Sequence, residues 1–457
     1  MSRIDISVVA TFHREGAVAV PTLKSIGLCR DAAQAAGLRV EVIATLDRAD
    51  RETRETVQAW HRTSNDTRVL ELDFGDLGLA RNAGFAVAAG TYGSTMDGDD
   101  LLSPGWLVRA YKAARLHSSR AVVHPEYVIE FGAGAGFTRL QDMHPSSGLV
   151  WALLATHPWT SCGFAPLQAY RDAPYLGSTG RWSGFGFEDW HWNLEQLALG
   201  RSHVVARHTF LLYRKRPNSL LAEQISENRL VGPLTLFTPD RVLMPQGHTC
   251  SRRGDNGIAA WVRSVVQRVC GKRGNPAVVP SWALPELKSL HGLDAAVPST
   301  RSTLKSHHYW EPKLNAAIGA EYRAVVRQLC TSDAGPVAGF AVAESAQAVA
   351  AALAATTGKV LVLSRPPPAL GGKPSTPPRA QDRAIPVPSD TALEESEVEA
   401  LLARLIVQLR PAYVQVEPSA RLAAVADRYA NAFKSLGVQI SLTDWSDVGS
   451  LTTTIEN

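Results

Sequence analysis

Strand and helix signals alternate without a break over the first 115 residues, and that alternation limits the fold more than any other feature of the chain. "IDISVVATF" (4–12), "RVEVIATLD" (39–47), "TRVLELDF" (67–74) and "YGSTMDGDD" (92–100) read as strands, the last ending in acid. "AVAVPTLKSIGLCRDAAQAAG" (17–37), "RETRETVQAWHR" (51–62), "GLARNAGFAVAAG" (78–90) and "GWLVRAYKAARLH" (105–117) carry the spacing and stop signals of helices. Strands separated by helices imply a mostly parallel sheet covered on both faces. Such sheets bind ligands outside the carboxyl ends of their strands, where Asp47 and the acidic run 97–100 fall.

At 457 residues the chain exceeds what one hydrophobic core usually covers, so about two or three domains are expected. Apolar residues make up 45% and charged residues 20%, as in an ordinary globular enzyme or binding protein. A net charge of +4 is too small to argue for a nucleic-acid partner. The five cysteines, Cys29, Cys162, Cys250, Cys270 and Cys330, are scattered and form no CxxC pair, so neither a disulfide framework nor a zinc site is indicated. That usage fits a reducing cytoplasm, and "MSRIDISVVATF" has neither the apolar core nor the cleavage site of a signal peptide.

Further along, residues 120–131 and 137–140 bracket "GAGAG", which reads as a hairpin turn because Phe137 breaks the glycine fingerprint of a nucleotide loop. Residues 151–220 are dense in Trp and Gly, the texture of a substrate-facing half built on loops. Residues 246–276 are basic, with Ile258, Trp261, Val262, Val265, Val266 and Val269 on one helical face. Either a connecting helix or a basic amphipathic contact with an anionic membrane surface fits them. The stretch 335–364 reads strand, helix, strand; a Pro-rich loop occupies 365–388; and helix, strand, helix and strand follow, giving a second α/β unit of about four strands.

Two clusters carry candidate chemistry. In "MDGDD", Asp97 and Asp99 sit two apart at a strand end, where both can reach one hard cation while leaving positions open for phosphate oxygens. An acidic turn fits the same residues. In "GFGFEDWHWN", Glu188 and Asp189 lie between glycines and tryptophans just before a helical stretch. They form an acidic N-cap, or a general base whose proton affinity is raised by a Trp-lined pocket.

The ordered set "TFHRE" (11–15), the strand ending at Asp47, "GLARNAG", "MDGDDLLSPGWL", "GFGFEDW" and "HTFLLYRKRPNS" resembles family 2 glycosyltransferases of the GT-A fold over residues 4–220. The resemblance implies an α/β fold: a GT-A type mixed, mostly parallel sheet flanked by helices over 1–240, a basic and helical connecting region over 241–330, and a smaller Rossmann-like module over 331–457. That module looks like an incomplete or degenerate half of a GT-B transferase, or an accessory or docking module without catalysis of its own. It also implies site roles. Thr11, Phe12, Glu15 and Asp47 would surround the base and ribose of a nucleotide-sugar donor, with Asp50 the alternative to Asp47 in "LDRADRET". Asp76 would line the same pocket, and Arg81 would lie near the diphosphate. Asp97 would face the ribose or metal, Asp99 would be the principal ligand of Mn2+ or Mg2+, and His208 a third ligand, or a structural histidine before a strand. Asp189 would be the catalytic base and Glu188 would hold acceptor hydroxyls. Tyr213, Arg214 and Arg216 would close over the diphosphate, or are solvated strand-end groups; Trp159, Trp182, Trp190 and Trp192 would stack on sugars, or are core.

The implied function is an inverting, metal-dependent transferase moving a sugar from a nucleotide-sugar to a saccharide or lipid-linked saccharide. A bacterial surface polysaccharide or glycolipid is the expected product, made in the cytoplasm, with peripheral contact at the inner membrane surface. A catalytically silent carbohydrate-binding or scaffold protein of the same fold is the alternative. A nucleotidyltransferase would need a glycine-rich, cation-bearing loop after the first strand, which "TFHREGAVAV" does not supply.

Overall fold

The computed structural model describes residues 3–117, 120–179, 184–217, 219–243, 279–300, 305–306, 312–330, 337, 339–355, 359–363, 383–387, 393–443 and 453–454. The basic stretch 246–276 and Trp182 lie outside the described residues.

The opening alternation folds as expected. Strands β1 (Ile6–Phe12), β2 (Val40–Asp47), β3 (Thr67–Leu72) and β4 (Tyr92–Asp97) are parallel, with β1 between β2 and β4 and β3 beyond β2. Helices α1 (Ala19–Ala35), α2 (Arg51–Thr63), α3 (Leu77–Val87) and α4 (Trp106–Leu116) connect and cover them. The register sets Thr11 beside both Thr45 and Asp97, so β1, β2 and β4 end on one sheet edge. Every residue of β1 and β2 is buried, as a strand covered on both faces requires.

Local chemistry fixes the helix starts. Asp50 accepts from the Thr53 amide at 2.8 Å to cap α2, and Asp76 accepts from the Leu79 amide at 2.9 Å to cap α3. In "ARNAG", Gly84 lets α3 approach the sheet: a Cβ there would lie 2.4 Å from Val9 Cγ1. This close packing puts Arg81, one turn earlier on α3, beneath the end of β4.

The sheet continues through β5 (Leu101–Leu102), β6 (Ala121–Gly132), β7 (Gly136–Arg139), β8 (Phe164–Pro166) and β10 (Ser202–Lys215), with antiparallel pairs at β4–β8 and β5–β10. Strands β6 and β7 form the expected hairpin, with Glu130 opposite Gly136. The short pair β9 (Phe185–Gly186) and β11 (Leu230–Val231) stands apart and leads into α6 (Glu188–Ala198). Helix α5 (Leu167–Asp172) packs near α3, and β12 (Lys305–Ser306) pairs with β7 at the far edge.

A second sheet has the order β15 (Ala384–Pro386), β14 (Val360–Val362), β13 (Gly339–Ala343), β16 (Tyr413–Val416), β17 (Gln439–Leu442) and β18 (Thr453–Thr454). All neighbours are parallel except β17 and β18. Numbered within the module this is 3-2-1-4-5-6, the doubly wound Rossmann order. Six strands replace the expected four: β18 adds an antiparallel pair beyond β17, and β15 emerges from the Pro-rich stretch read as loop. Pro386 sits there on an edge strand, where a missing N–H costs no ladder bond. Both units are therefore present: a mixed, mostly parallel α/β sheet flanked by helices and a smaller Rossmann-like module. Among the described residues no helix is long and apolar enough to cross a membrane.

Candidate active site

The carboxyl ends of β1 and β4, the tail of β10 and the start of α6 converge on one acidic pocket. At its centre is Arg81, wholly buried, whose two terminal nitrogens bridge carboxylates from different elements: Asp97 Oδ1 at 2.6 Å and Glu188 Oε1 at 2.7 Å. The Tyr175 ring packs on the same guanidinium at 5.2 Å. Burial opposes the Arg81 charge, but the two carboxylates raise its pKa above the already high ordinary value. Asp97 also accepts from the Ser161 hydroxyl at 2.6 Å. Burial opposes ionisation of Asp97 too, and Arg81 and Ser161 overcome it and hold the carboxyl below its usual range.

The rest of the acidic run behaves differently. Asp99 meets Arg216 at 2.8 Å, and burial pushes its proton affinity up. Asp100 accepts from the Arg214 amide at 2.8 Å, and burial beside Asp99 and Asp97 raises it further. Arg214 itself is buried, donates to the Asp99 carbonyl at 2.9 Å and pairs with Asp294. Glu15 accepts from the His13 amide at 2.6 Å and lies 4.0 Å from Arg216; burial raises its pKa. Arg214 and Arg216 thus bind the acidic run itself.

Asp189 stands in the first turn of α6, after Phe187 in a left-handed conformation with φ 56°. Its Oδ1 accepts from the Trp190 amide at 2.7 Å, and its Oδ2 lies 3.9 Å from His157 Nε2. His157 stacks on Trp190 with ring centroids 5.4 Å apart. Burial raises the Asp189 pKa against the pull of Arg81, and burial lowers that of His157 to about 3, so the imidazole is neutral and the pair is no ion pair. Asp189 is thereby suited to taking up a proton.

Several of the expected site residues are engaged by protein groups. Asp47 accepts from the amides of Phe74, Gly75 and Asp76 at 2.7, 3.0 and 2.8 Å, so its carboxylate holds that turn. Asp76 caps α3 and receives the amide and hydroxyl of Ser178. Arg81, expected near the diphosphate, has both terminal nitrogens engaged and no exposure; it sets the two carboxylates in place. Glu188 is its partner, with little exposure left for acceptor hydroxyls. His208 lies on a bulge of β10, where its amide donates to Glu126 at 2.8 Å and its ring meets Trp282 edge-on. Six residues of strand separate it from Arg214 beside Asp99, roughly 20 Å at 3.3 Å per residue, too far for a shared ion. Phe12, Trp159 and Trp192 are core. Thr11 lies 3.5 Å from Asp97, at the edge of hydrogen-bond range.

Sequence reasoning missed Ser161, Tyr175 and His157. No spacing marks them, because each reaches the pocket only through packing of the chain between β7 and α6.

The donor set suits a hard cation. The carboxylates of Glu15, Asp97, Asp99, Asp100, Glu188 and Asp189 outnumber the guanidinium groups of Arg81, Arg214 and Arg216 that stand among them, and oxygen is the donor a hard cation takes. Among the described residues no group of three His, Cys, Asp or Glu side chains is set as a metal cage.

Residues 7–154 match the family model described as glycosyl transferase family 2. That stretch holds Thr11, Arg81 and the acidic run and stops short of Glu188 and Asp189. No curated protein sequence matches the chain significantly. Among solved structures, TarS 1-349 of S. aureus is similar at 13% identity, with 71% of this chain and 86% of that chain covered and a TM-score of 0.36. The same protein in complex with UDP-GlcNAc gives 14% identity, 71% and 86% coverage and a TM-score of 0.39. The mannosyltransferase PcManGT from Pyrobaculum calidifontis, in complex with GDP-Man and Mn2+, gives 11% identity, 73% and 77% coverage and a TM-score of 0.36. Likenesses this distant say nothing of this chain's own ligands. Over residues 7–154, the stretch that builds β1 to β4 and the acidic run, the chain matches glycosyl transferase family 2.

Proposed function

We propose that the protein is an inverting, metal-dependent glycosyltransferase that moves a sugar from a nucleotide-sugar to a saccharide or lipid-linked saccharide, in the making of a surface polysaccharide. One observation carries the reading: Arg81 fixes Asp97, at the donor side, and Glu188, beside the base, in a single buried bridge. Donor and acceptor halves are thereby held in one geometry before substrate arrives.

Asp189, with its raised proton affinity, takes the acceptor hydroxyl proton as that oxygen attacks the anomeric carbon from the face opposite the leaving diphosphate. A single displacement of this kind inverts the anomeric centre. His157 and Trp190 shield the base from water on one side. Arg216, half exposed beside Asp99 and Glu15, is placed to swing onto the diphosphate when the donor binds. Asp99, with Asp97, would hold Mn2+ or Mg2+, whose charge would stabilise the departing diphosphate.

Transfer from a panel of UDP-, GDP- and dTDP-sugars tests the reading, with Asp189→Asn alongside. The variant is expected to keep thermal stabilisation by the cognate nucleotide and to lose transfer by roughly 10²- to 10⁴-fold, the range for a general base. Wild-type transfer by Asp189→Asn sinks the base assignment. An absence of transfer from every donor favours the silent carbohydrate-binding alternative.

A further inference from the structure

The segments that bring Asp189 and His157 to the pocket are held from outside the sheet that carries it. Just before the base, a Cβ on Gly184 would lie 2.1 Å from the Ala432 nitrogen and 2.4 Å from its Cα. The backbone of the helix Ala430–Ser435 therefore rests directly on the chain at Gly184. Phe185 and Gly186 then pair with Leu230 and Val231. The residues beyond that strand are gripped by Gln408, buried on the helix Glu395–Leu409. Its side chain accepts from the Leu234 amide at 2.8 Å and donates to the Gly232 carbonyl at 3.4 Å. Between these two residues, the Pro233 carbonyl lies 3.0 Å from His191 Nε2, two residues past Asp189. On the other side of the pocket, Arg404 of the same helix donates to the Ala155 carbonyl at 3.4 Å, two residues before His157.

The module's own ligand crevice is filled from within. In a 3-2-1-4-5-6 sheet a phosphate binds at the carboxyl ends of the two central strands, here β13 and β16, on the amides that open the next helix. Glu417, at the end of β16, takes those amides itself: it accepts from Ser345 N–H at 3.1 Å, from the Ser345 hydroxyl at 2.8 Å and from Glu344 N–H at 2.5 Å.

We propose that the C-terminal α/β module is a positioning element of the transfer site, with Gln408 and the Gly184–Ala432 contact setting the placement of Asp189, and that it is not a second nucleotide-sugar site. The proposal rests on the reading of Asp189 as the base. Gln408 touches no substrate. It acts through 232–234 and β9–β11 on the loop that ends in Asp189, whose charged or titratable neighbours are Arg81, Asp97, Glu188, His157, Tyr175 and Tyr213.

Gln408→Ala and Gly184→Ala in the full chain test it, with Asp189→Asn measured in parallel. The readouts are kcat and KM for transfer from the donor panel, the pH profile of kcat, and thermal shift with UDP, GDP and dTDP. Gln408→Ala is expected to lower kcat on the order of 10- to 100-fold, the cost of a base misplaced by about 1 Å, while the nucleotide shift stays at its wild-type size. The acid limb of its pH profile is expected to move to lower pH, as Asp189 gains water and its pKa relaxes downward. Gly184→Ala is expected to do the same; should it fail to fold, Gln408→Ala decides. Wild-type transfer by Asp189→Asn overturns the base reading itself. With that variant inactive, an unchanged kcat and pH profile in Gln408→Ala overturns the positioning role. So does a loss of transfer that merely tracks a loss of nucleotide shift.

Discussion

Arg81 shows how much of the site depends on a single residue. A guanidinium with no exposure is tolerable only because two carboxylates meet it, and those carboxylates are tolerable in turn because it meets them. Arg81→Met fills the volume but leaves Asp97 and Glu188 buried without a counter-charge. A loss of about 3–5 kcal/mol in unfolding free energy is expected, read by urea titration at pH 7.5. A loss below about 1 kcal/mol would show that the bridge is not what secures these side chains. Single residues were partly legible in the sequence. Asp97, Asp99, Asp100, Glu188 and Asp189 stand out because carboxylates cluster beside glycines at strand and helix ends. Asp47 and Asp76 stand out for the same reason, yet they serve backbone amides, and composition gives no way to separate the two uses. Ser161 and His157 carry no local signal at all, since tertiary packing alone makes them neighbours of Asp97 and Asp189.

At the scale of elements, strands β6 and β10 are joined in the core by a pair of imidazoles. His124 Nε2 and His203 Nδ1 are 2.8 Å apart, and His203 Nε2 reaches the Asn193 carbonyl of α6 at 3.0 Å. The two rings pack against Trp159. Burial lowers His124 to about 3 and His203 well below its ordinary value, so both are neutral in the folded protein and charge on unfolding in mild acid. The folded-state pKa is depressed, so the unfolded chain binds more protons below pH 6.5. Their contribution is full above that pH and falls by about 1.4 kcal/mol per unit per histidine as pH drops toward 3. Carboxylates with raised pKa act in the opposite sense, so the sharp comparison is between the wild type and His124→Gln, whose side-chain amide can still donate to His203. The stability difference between pH 7 and pH 5 is expected to shrink by about 2 kcal/mol in the variant. Equal pH dependence would mean that His124 is not the group that resists protonation. The strands and helices themselves were largely legible, because periodicity and caps such as Asp50 and Asp76 are local. Strand β15 was not: three residues beside a proline, pairing only through β14, look like the loop around them.

Over the whole molecule, two sheets share one core. Phe185, Leu194, Leu230, Leu234 and Phe237 from the transferase side belong to the same buried cluster as Phe340, Leu401, Leu405, Ile406 and Phe433. The helix Pro312–Leu329 adds Tyr322, whose hydroxyl donates to the Phe237 carbonyl at 2.5 Å. The chain's division into two α/β units can be read from where strand and helix signals restart. Their fusion cannot, because an apolar helix face that meets another module has the same pattern as one that meets its own sheet. The glycine at 184 looks like an ordinary turn residue until the second module is in place. A shared core has a thermodynamic consequence, since neither unit can open without exposing the face it presents to the other. Burial of each such Leu or Phe is worth about 1.5–3 kcal/mol, so separation alone is strongly unfavourable. Calorimetry of the full chain is therefore expected to show one cooperative transition, with calorimetric and van't Hoff enthalpies in agreement. Adding a nucleoside diphosphate that binds the β1–β4 pocket is expected to raise that whole transition rather than one part of it. Two resolved transitions, with only the first moved by nucleotide, would show that the modules fold independently and that the contacts of Gln408 and Ala432 are too weak to couple them.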